Sequence, residues 1–563
     1  MKKLINDPRQ VVRETLEGLT DLYPSLALLA GENVVVRSDL PAPSERKVAV
    51  LSGGGSGHEP AHAGYVGDGM LSAAIAGDVF TSPSTDAVLA AIRAAAGPAG
   101  ALLVVKNYTG DRLNFGLAAE LATQEGIPTQ VVVVADDVAL HDTVERSRWR
   151  GIAGTILVHK VAGAAAAAGL TLDEVVAEAA AAASAVGSMG VSLGACTVPA
   201  AGVPSFSLGE NEMELGLGIH GEQGVRRIPL MSADAVVDIL VATLIEQLGL
   251  RNERVALLVN GLGGTPPMEL AIVARRAFAA LQAKGLTVQR AWAGNFMTAL
   301  EMPGCSLSLM ALDDARIGRL DAATNAPGWP GGGVIATRRI IPVPPHRSEP
   351  ETKHDTATTP DGAMVRRAAL AAAAAIDDAE PMLTALDNKA GDGDLGSSMV
   401  RGAAAVRALP DDAWRNAASA FAAMGNAVRR AIAGSSGPFY ATALLRAGRE
   451  LGGATPTPAI WARAFAAAVA SIAELGGAKP GDRTMLDALM PASETFSAAI
   501  QQGTSMAEAW QQAIRAAEDG AAATATMHPR VGRAAYLGER AVGSPDAGAS
   551  AVVVWMRGIA TVT

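Results

Sequence analysis

The run KVAVLSGGGSGHEP at residues 47–60 decides the fold of the N-terminal half of the chain. Its apolar start predicts a buried strand at residues 47–51, and polar or glycine residues follow at once. Apolar runs at 101–105, 130–134 and 155–158 have the same character, and alanine-rich helical stretches separate them. This alternation predicts an α/β domain with a largely parallel sheet.

Polar residues stand directly after most of these predicted strands. The glycine-rich residues 52–60 follow the first strand, KNYTGD at residues 106–111 follows the second, and Asp136 and Asp137 follow the third. In open α/β sheets the ligand crevice lies at the carboxyl ends of the strands. We therefore expect a binding site built from these three segments.

The rest of the chain divides by composition. A second α/β part is predicted at residues 188–340, after a first part at 1–187, with strands at 255–259 and 306–312. A proline-containing linker follows at 341–361. From residue 362 to 563 the strand signals almost vanish and helical periodicity dominates, which predicts an all-α domain.

The overall composition limits the classes of function. The chain has 563 residues and a formal net charge of −10, so no broad basic surface is available for nucleic acid or anionic lipid. No membrane-spanning segment or signal peptide is predicted, since the longest uncharged stretch is broken by glycine and proline. The two cysteines, Cys196 and Cys305, fit a reducing cytoplasm.

Two motifs in the α/β half could carry chemistry. The glycine run before His58 matches neither a dinucleotide fingerprint nor a Walker A loop, so by itself it is either a tight turn or a ligand loop. His220 stands in GLGIHGEQG at residues 216–224, where the glycines leave its imidazole little cover. A lone histidine is more often structural, but this setting favours a loop that presents the ring.

The motif DNKAGDGDLGSS at residues 387–398 is the strongest in the helical half. It holds Asp387, Asp392 and Asp394, which repel one another unless a cation neutralises them. Hard divalent cations prefer such oxygen ligands, whereas a solvated turn is the alternative and an EF-hand loop does not fit. Glycine and hydroxyl turns at 434–437, 476–485 and 532–533 are either helix caps or parts of a phosphate site.

With these motifs in order, the whole chain resembles the single-chain dihydroxyacetone kinases. The resemblance implies a ketose-binding K domain, a linker and a nucleotide-binding L domain that is a barrel of antiparallel helices. It also implies that His220 binds the substrate carbonyl covalently as a hemiaminal. Asp111 would be the base and His58 its assistant, and the remaining contacts to the sugar would come from Gly55, Ser56, Gly57 and Lys106.

For the L domain, the same resemblance implies a site for Mg²⁺ and ATP. Asp387, Asp392 and Asp394 match the magnesium ligands of the family. The residues that match nucleotide contacts are Leu395, Gly396, Ser397, Ser398, Ser435, Ser436, Gly476, Thr484, Met485, Arg533, Asp546, Ala547 and Gly548. Residues 395–398 and 544–548 differ from the versions common in relatives, although no metal ligand is lost.

The expected reaction is transfer of phosphate from ATP to a short ketose, because no phosphohistidine-carrier domain is seen that would supply phosphoenolpyruvate-derived phosphate. A homodimer is expected from the resemblance. The alternatives are a main role as a tetrose kinase acting on erythrulose, an FMN cyclase side activity, and a ligand-sensing coactivator. A coactivator would be expected to lose His220 or the aspartates, and this chain keeps both.

Overall fold

The computed structural model of the chain describes residues 2–222, 224–343, 357–452 and 455–562. These residues form two compact units, which meet in the sequence at Pro342 and Val343. The first unit is α/β and the second is entirely helical, so the predicted fold class is confirmed. Most of the predicted linker at 341–361 lies outside the described residues, and its last two residues begin a helix.

The first unit begins with a six-stranded sheet in the order β1-β2-β4-β3-β5-β6. Strands β4, β3, β5 and β6 are parallel, as predicted, and β1 and β2 add an antiparallel edge. The strands are β1 Leu26–Leu28, β2 Val34–Arg37, β3 Ala49–Ser56, β4 Ala73–Val79, β5 Ala101–Lys106 and β6 Thr129–Val134. The helices of this part are α1 Val11–Leu22, α2 Thr85–Ala95, α3 Thr109–Gln124, α4 Thr155–Ala167 and α5 Leu172–Ala185.

Residues 155–158, predicted as a strand, are instead the first turn of helix α4, so that prediction was wrong. Residues 155–166 of this helix are all buried, and it therefore shows no polar stripe. A short apolar run gives no periodicity that separates a buried strand from a buried helix.

A second sheet has the order β11-β10-β12-β7-β8-β9 and is mostly antiparallel. Its strands are β7 Val186–Ser192, β8 Glu212–Leu215, β9 Arg226–Pro229, β10 Arg254–Gly261, β11 Thr287–Gly294 and β12 Gly304–Ala311. Its helices are α6 Ala233–Leu248, α7 Pro267–Ala283 and α8 Asp314–Asp321. The predicted division after residue 187 falls inside β7.

The two sheets share one layered core. Alternate residues of β3 and β5 face α2 and α3 on one side and α4 and α5 on the other, as the two-residue period of a strand requires. Helices α4 and α5 also pack against one face of the second sheet, through Leu258 and Met310. The opposite face of that sheet packs on α6 and α7. The first unit is therefore two sheets joined by a shared helical layer.

The second unit is a closed ring of eight helices. They are α9 Pro360–Ala390, α10 Leu395–Arg407, α11 Ala417–Ala431, α12 Ser436–Glu450, α13 Pro458–Gly476, α14 Leu486–Gln501, α15 Met506–Ala523 and α16 Ala547–Ala560. Each helix packs against the next along the chain, and α16 closes the ring against α9. The ring encloses an apolar cavity of about 610 Å³, and the predicted antiparallel helical barrel is confirmed.

Helix α13 is the one helix in the described part of the chain that is long and apolar enough to cross a membrane. It packs between α12 and α14 in the ring, and core helices of this kind pass the same test of length and composition.

Candidate active sites on the two units

The carboxyl ends of β3 and β5 bring the first set of predicted residues together. Gly54, near the end of β3, has a φ of +148° and no side chain. A Cβ built on it would lie 3.2 Å from Lys106 Nζ and 3.4 Å from Asp111 Oδ2. The bare backbone of Gly54 therefore makes room for both charged groups, which are themselves buried.

Burial disfavours the charged form of Lys106. It lowers the pKa of Lys106, and the negative charges of Asp111, Glu222 and Asp136 oppose that effect. The Nζ atom of Lys106 has no hydrogen-bond partner among the described residues. A buried donor of this kind is costly unless a ligand or water satisfies it, which marks this point as a binding site.

His58 and His220 meet above these groups. Their ring centroids are 4.9 Å apart, although the residues belong to distant parts of the sequence. His58 Nδ1 lies 2.7 Å from the carbonyl oxygen of Thr298. A carbonyl oxygen only accepts hydrogen bonds, so Nδ1 carries the proton and Nε2 keeps a free lone pair. Burial, followed by the charges of Lys106 and His220, holds the pKa of His58 well below 6.5.

Glu222 controls the orientation of His220. One carboxylate oxygen accepts the backbone N–H of His220 at 2.9 Å, and the other lies 3.3 Å from Nδ1 of the ring. Burial alone would raise the pKa of Glu222, but the hydrogen bond and charge of His220 lower it to about 2. An ionised carboxylate at Nδ1 favours a proton on that atom and leaves Nε2 as the nucleophile.

Arg150 ties the His220 loop to the end of β6. It donates from Nε to Asp137 Oδ2 at 2.8 Å and from Nη2 to the carbonyl oxygen of Gly216 at 2.7 Å. A Cβ at Gly218 would collide with the carboxylate of Glu222 and would lie 2.8 Å from Arg150 Nη1. The glycines before His220 therefore allow the arginine and the glutamate to approach the loop.

Aromatic rings surround the imidazole of His220. Tyr108 packs edge-on with centroids 4.4 Å apart, and Phe80 packs in the same manner at 5.4 Å. Phe80 has a φ of +60°, and its backbone lies so close to Gly55 that a Cβ there would collide with it. Gly57, with a φ of +96°, faces the Phe80 ring and Leu300. These side chains form one apolar wall of the site.

The hydroxyl of Ser56, a predicted sugar contact, has a hydrogen-bond partner within the sheet. Its hydroxyl donates to the carbonyl oxygen of Gly77 at 2.7 Å, which joins the ends of β3 and β4. Strand β3 also extends to Ser56, beyond the predicted end at residue 51. The Ser56 oxygen keeps its acceptor lone pairs, so a contact to a sugar from this side chain would be one that accepts a hydrogen bond.

In the second unit, the three aspartates of the predicted metal site do lie together. Asp387 is in the last turn of α9, Asp394 is the N-cap residue of α10, and Asp392 lies between them. Each offers a carboxylate oxygen, and these atoms lie within 4.8 Å of one another. One oxygen of Asp387 also accepts the N–H of Leu395 at 3.1 Å. The donor set fits a hard divalent cation, because it consists of carboxylate oxygens at the spacing such a cation can bridge.

The predicted nucleotide residues lie at the same end of the ring. Residues 395–398 begin α10, Ser435 and Ser436 begin α12, Gly476 ends α13, Thr484 and Met485 precede α14, and residues 546–548 begin α16. A Cβ on Gly548 would lie 3.7 Å from the Cβ of Met485, so the starts of α14 and α16 adjoin. Four helix N-termini at one end provide backbone N–H groups and positive dipole ends for phosphate.

Three of these predicted contacts need comment. The hydroxyls of Ser397 and Ser398 already have partners, since Ser397 donates to the Asp394 carbonyl at 3.1 Å and Ser398 accepts from Arg401 at 2.7 Å. Arg533 follows a glycine in a 3-10 turn, but its side chain lies outside the described residues.

Sequence reasoning missed several residues of the first site. Glu222 lies two positions after His220, so a contact between these two side chains could have been predicted from the sequence. Tyr108 belongs to the motif at residues 106–111, but the sequence did not indicate that its ring packs on His220. Phe80 and Thr298 carry no local signal, because only the folded chain brings them to the two histidines.

Comparisons with known proteins match both units. The Dak1 domain matches residues 17–328, and the DAK2 domain matches residues 389–561. The chain is 45% identical to a putative 3,4-dihydroxy-2-butanone kinase of Solanum lycopersicum, with 99% of this chain and 98% of the relative covered. It is 41% identical to the triokinase/FMN cyclase of Homo sapiens over the same shares.

A solved structure also matches over the full length. It is the dihydroxyacetone kinase from C. freundii in complex with AMP-PNP and Mg²⁺, with 35% identity and a TM-score of 0.63. The match covers 100% of this chain and 99% of that one.

Proposed function

The chain belongs to the family of dihydroxyacetone kinases that carry both domains in one polypeptide, and from this we infer that it transfers the γ-phosphate of ATP to a hydroxyl of a short ketose. It is an ATP-dependent phosphotransferase with an alcohol group as acceptor. The observation that carries the inference is that the chain holds a candidate site for the ketose and a candidate site for Mg²⁺ and ATP. A nucleophilic imidazole stands among buried acid–base groups in the first unit, and an aspartate cluster stands among helix N-termini in the second.

His220 is the proposed point of attachment for the ketose. Its Nε2 lone pair adds to the carbonyl carbon, the C=O π bond opens onto oxygen, and that oxygen takes up a proton to give a hemiaminal. The positive charge that develops on the ring faces the Glu222 carboxylate, which stays ionised because its pKa is about 2. Covalent attachment selects ketones and aldehydes over polyols such as glycerol, which have no carbonyl.

Asp111 and His58 are the proposed proton acceptors for the substrate hydroxyl. The neutral Nε2 of His58 has its lone pair free, and the Asp111 carboxylate lies near Gly54 at the end of β3. Lys106 supplies a buried positive charge for an oxygen of the sugar. Removal of the hydroxyl proton as phosphate arrives makes that oxygen a better nucleophile.

In the second unit, Asp387, Asp392 and Asp394 would hold Mg²⁺. The ion supplies neutralisation of the triphosphate charge when bound. The chain itself contributes backbone N–H groups at the starts of α10, α12, α14 and α16, which orient the phosphates. The proposed nucleotide contacts remain those implied by the resemblance, including Arg533.

The attachment is tested by native mass spectrometry after incubation with dihydroxyacetone, which weighs the intact adduct without a reduction step. We expect an adduct on His220 in the wild-type protein and none in His220→Ala, which should still bind Mg²⁺-ADP with normal affinity. Wild-type turnover in His220→Ala would contradict the covalent mechanism.

The preferred ketose is best decided by an assay panel. Dihydroxyacetone, glyceraldehyde, erythrulose and 3,4-dihydroxy-2-butanone differ in length and in the terminal group, and the last corresponds to the name of the tomato relative. We propose dihydroxyacetone as a substrate, with the four-carbon ketoses as the main alternative. A ratio of kcat/KM values across the panel identifies the physiological class.

A second candidate activity is the FMN cyclase reaction, which the name of the human relative includes. It would split FAD at the aspartate cluster and would not need the imidazole of His220. His220→Ala therefore separates the two reactions, because it should remove ketose phosphorylation and leave FAD cleavage intact.

The proposal extends to assembly and location. We propose a homodimer in the cytoplasm, with segments 1–187, 188–340, 341–361 and 362–563 as the functional parts. Mixing His220→Ala with Asp394→Asn subunits tests whether phosphate passes between subunits. In the mixed dimer, the intact ketose site of one subunit can work with the intact ATP site of the other. Recovered activity supports it, and a fully active monomer would contradict the dimer requirement.

A further inference from the structure

One buried side chain forms hydrogen bonds to both ends of the connection between α15 and α16. Arg483, which precedes α14, donates from Nε to the carbonyl oxygen of Thr524 at 3.2 Å. Its Nη2 donates to the carbonyl oxygens of Ala541 and Ser544 at 2.6 and 3.0 Å. Thr524 begins the connection and the other two residues lie near its end, so a single guanidinium holds both ends.

Further bonds at the same point join this connection to α16. The hydroxyl of Thr524 accepts the backbone N–H of Asp546, the N-cap residue of α16, at 2.7 Å. The N–H of Gly543 donates to the carbonyl oxygen of Ala525 at 2.8 Å. The charge of Arg483 also acts on Asp546, whose pKa burial raises and the guanidinium lowers. The start of α16 therefore depends on the same group.

The position of Arg483 is unusual for a residue with only a packing role. Its side chain is 1% exposed, and its backbone has a φ of +64°, a conformation that favours glycine. A guanidinium stays charged at all ordinary pH values and is costly to bury. The chain thus keeps a buried cation on a strained backbone at the place where its three carbonyl acceptors converge.

The held segment carries residues that the proposed function assigns to ATP. Arg533 lies within it, Asp546–Gly548 follow it, and Thr484 and Met485 come directly after Arg483 in the sequence. We propose that Arg483 is a positioning residue for nucleotide binding, which fixes the α15–α16 connection and the start of α16 against the start of α14. It does not touch the nucleotide itself. This inference rests on the proposed nucleotide site.

The test measures affinity for Mg²⁺-ADP by calorimetry, which does not depend on turnover. Arg483→Gly relieves the strained backbone and removes only the side chain, whereas Arg483→Lys keeps the charge but loses the forked geometry. We expect both variants to raise Kd by about tenfold or more, because hydrogen bonds from a charged group are lost. Free guanidinium ion at millimolar concentration should restore part of the affinity of Arg483→Gly only.

Arg530→Gly is the matched control, because this arginine belongs to the same connection but its side chain is largely exposed. Its Kd should stay within about twofold of wild type, as for most exposed side chains. An unchanged Kd in folded Arg483→Gly or Arg483→Lys overturns the proposal, even if the melting temperature falls. Equal weakening by Arg530→Gly overturns it as well. If Arg483→Gly does not fold, the Kd of Arg483→Lys decides.

Failure of the proposed function gives a different result. A wild-type protein that binds Mg²⁺-ADP but phosphorylates no ketose would contradict the kinase assignment, while a weakened Kd in Arg483→Lys would still support the positioning role.

Discussion

The two units place their charged groups in opposite surroundings. In the first, Lys106, His58 and Asp111 are almost completely buried, and burial shifts the pKa of Lys106 and of His58. In the second, Asp392 and Asp394 are exposed at the end of a helical ring. A small neutral sugar offers little charge to bind, so its site depends on dry, oriented acid–base groups. A triphosphate brings its own charge, so its site needs groups that solvent and metal can reach.

This difference predicts how each unit responds to substitution. Changing a carboxylate in the second unit removes charge with little effect on packing. Changing a group in the first unit alters the proton positions of its neighbours, since the low effective dielectric strengthens every interaction there.

Asp394→Asn should have the largest effect. The Asp394 side chain makes no capping hydrogen bond to α10, so asparagine should leave the start of the helix intact while the cluster loses one charge. Turnover should fall by about three orders of magnitude or more, because phosphoryl transfer depends on neutralising the phosphates. Steady-state kinetics with Mg²⁺ and ATP measures this, and the ketose adduct on the first unit, followed by native mass spectrometry, should be unchanged.

The control is Asp412→Asn, an exposed aspartate at the opposite end of the ring. It should retain full turnover. Near-normal magnesium-dependent turnover in Asp394→Asn would mean that the aspartates form only a solvated turn.

Glu222→Gln should have a smaller effect, confined to the first unit. The amide keeps the shape of the side chain but removes the charge that faces Nδ1 of His220, so the ring loses its anionic partner. We expect kcat/KM for the ketose to fall by about 10- to 100-fold, as for loss of a charge-assisted hydrogen bond. The KM for ATP should not change.

Glu210→Gln, which changes an exposed carboxylate in the same stretch, should leave both constants at wild-type values. Equal values for Glu222→Gln and wild type would show that His220 is oriented by its loop alone.

The smallest predicted effect is a difference between the two units in how their stability changes as pH falls. Burial lowers the pKa of His58 and His62 well below 6.5 and that of His159 to about 3. Below about pH 6.5 these three histidines bind more protons in the unfolded chain, so their contribution destabilises the first unit as pH falls toward 3. Burial raises the pKa of Asp136, and that of Asp137 to about 7, and these two carboxyls act in the opposite direction. Each histidine changes the free energy of unfolding by about 1.4 kcal/mol per pH unit, so the three histidines together contribute about 4 kcal/mol per pH unit.

Calorimetry at pH 7 and pH 5 measures the difference. Mg²⁺-ADP identifies the transition of the second unit, because the ligand raises its melting temperature. That unit has one described histidine, the exposed His528, so its described residues include no buried histidine that could give this contribution. His159→Met should reduce the slope for the first unit by about 1.4 kcal/mol per pH unit. A slope unchanged by this substitution would show that His159 does not remain neutral in the folded unit.

The sequence was most informative where chemistry is local. The aspartates of the second unit fall within eight positions, and the helix starts around them carry glycine and hydroxyl residues that signal ends of helices. The grouping of these three carboxylates could therefore be predicted, and their role as metal ligands stays a prediction. The alternation of strands and helices likewise predicted both the α/β unit and the all-helical unit.

The sequence was least informative where contacts span the chain. His58 takes its proton position from Thr298, which lies 240 residues away. The burial of α4 between two sheets removed the pattern that would have identified it as a helix. Arg483 looked like one residue of a polar turn, and only the fold shows that three carbonyl oxygens converge on it. Tertiary packing decided each of these, and no local pattern reports it.

Closure of the ring between α9 and α16 has a consequence for biosynthesis. The helix that completes the ring is translated last among the eight, so the apolar interior stays open on one side while the others emerge from the ribosome. The nascent unit also lacks the α16 start that carries Asp546. Competence to bind nucleotide should thus appear only after α16 has left the exit tunnel, and until then the unfinished barrel should be a client for chaperones that recognise exposed apolar helices.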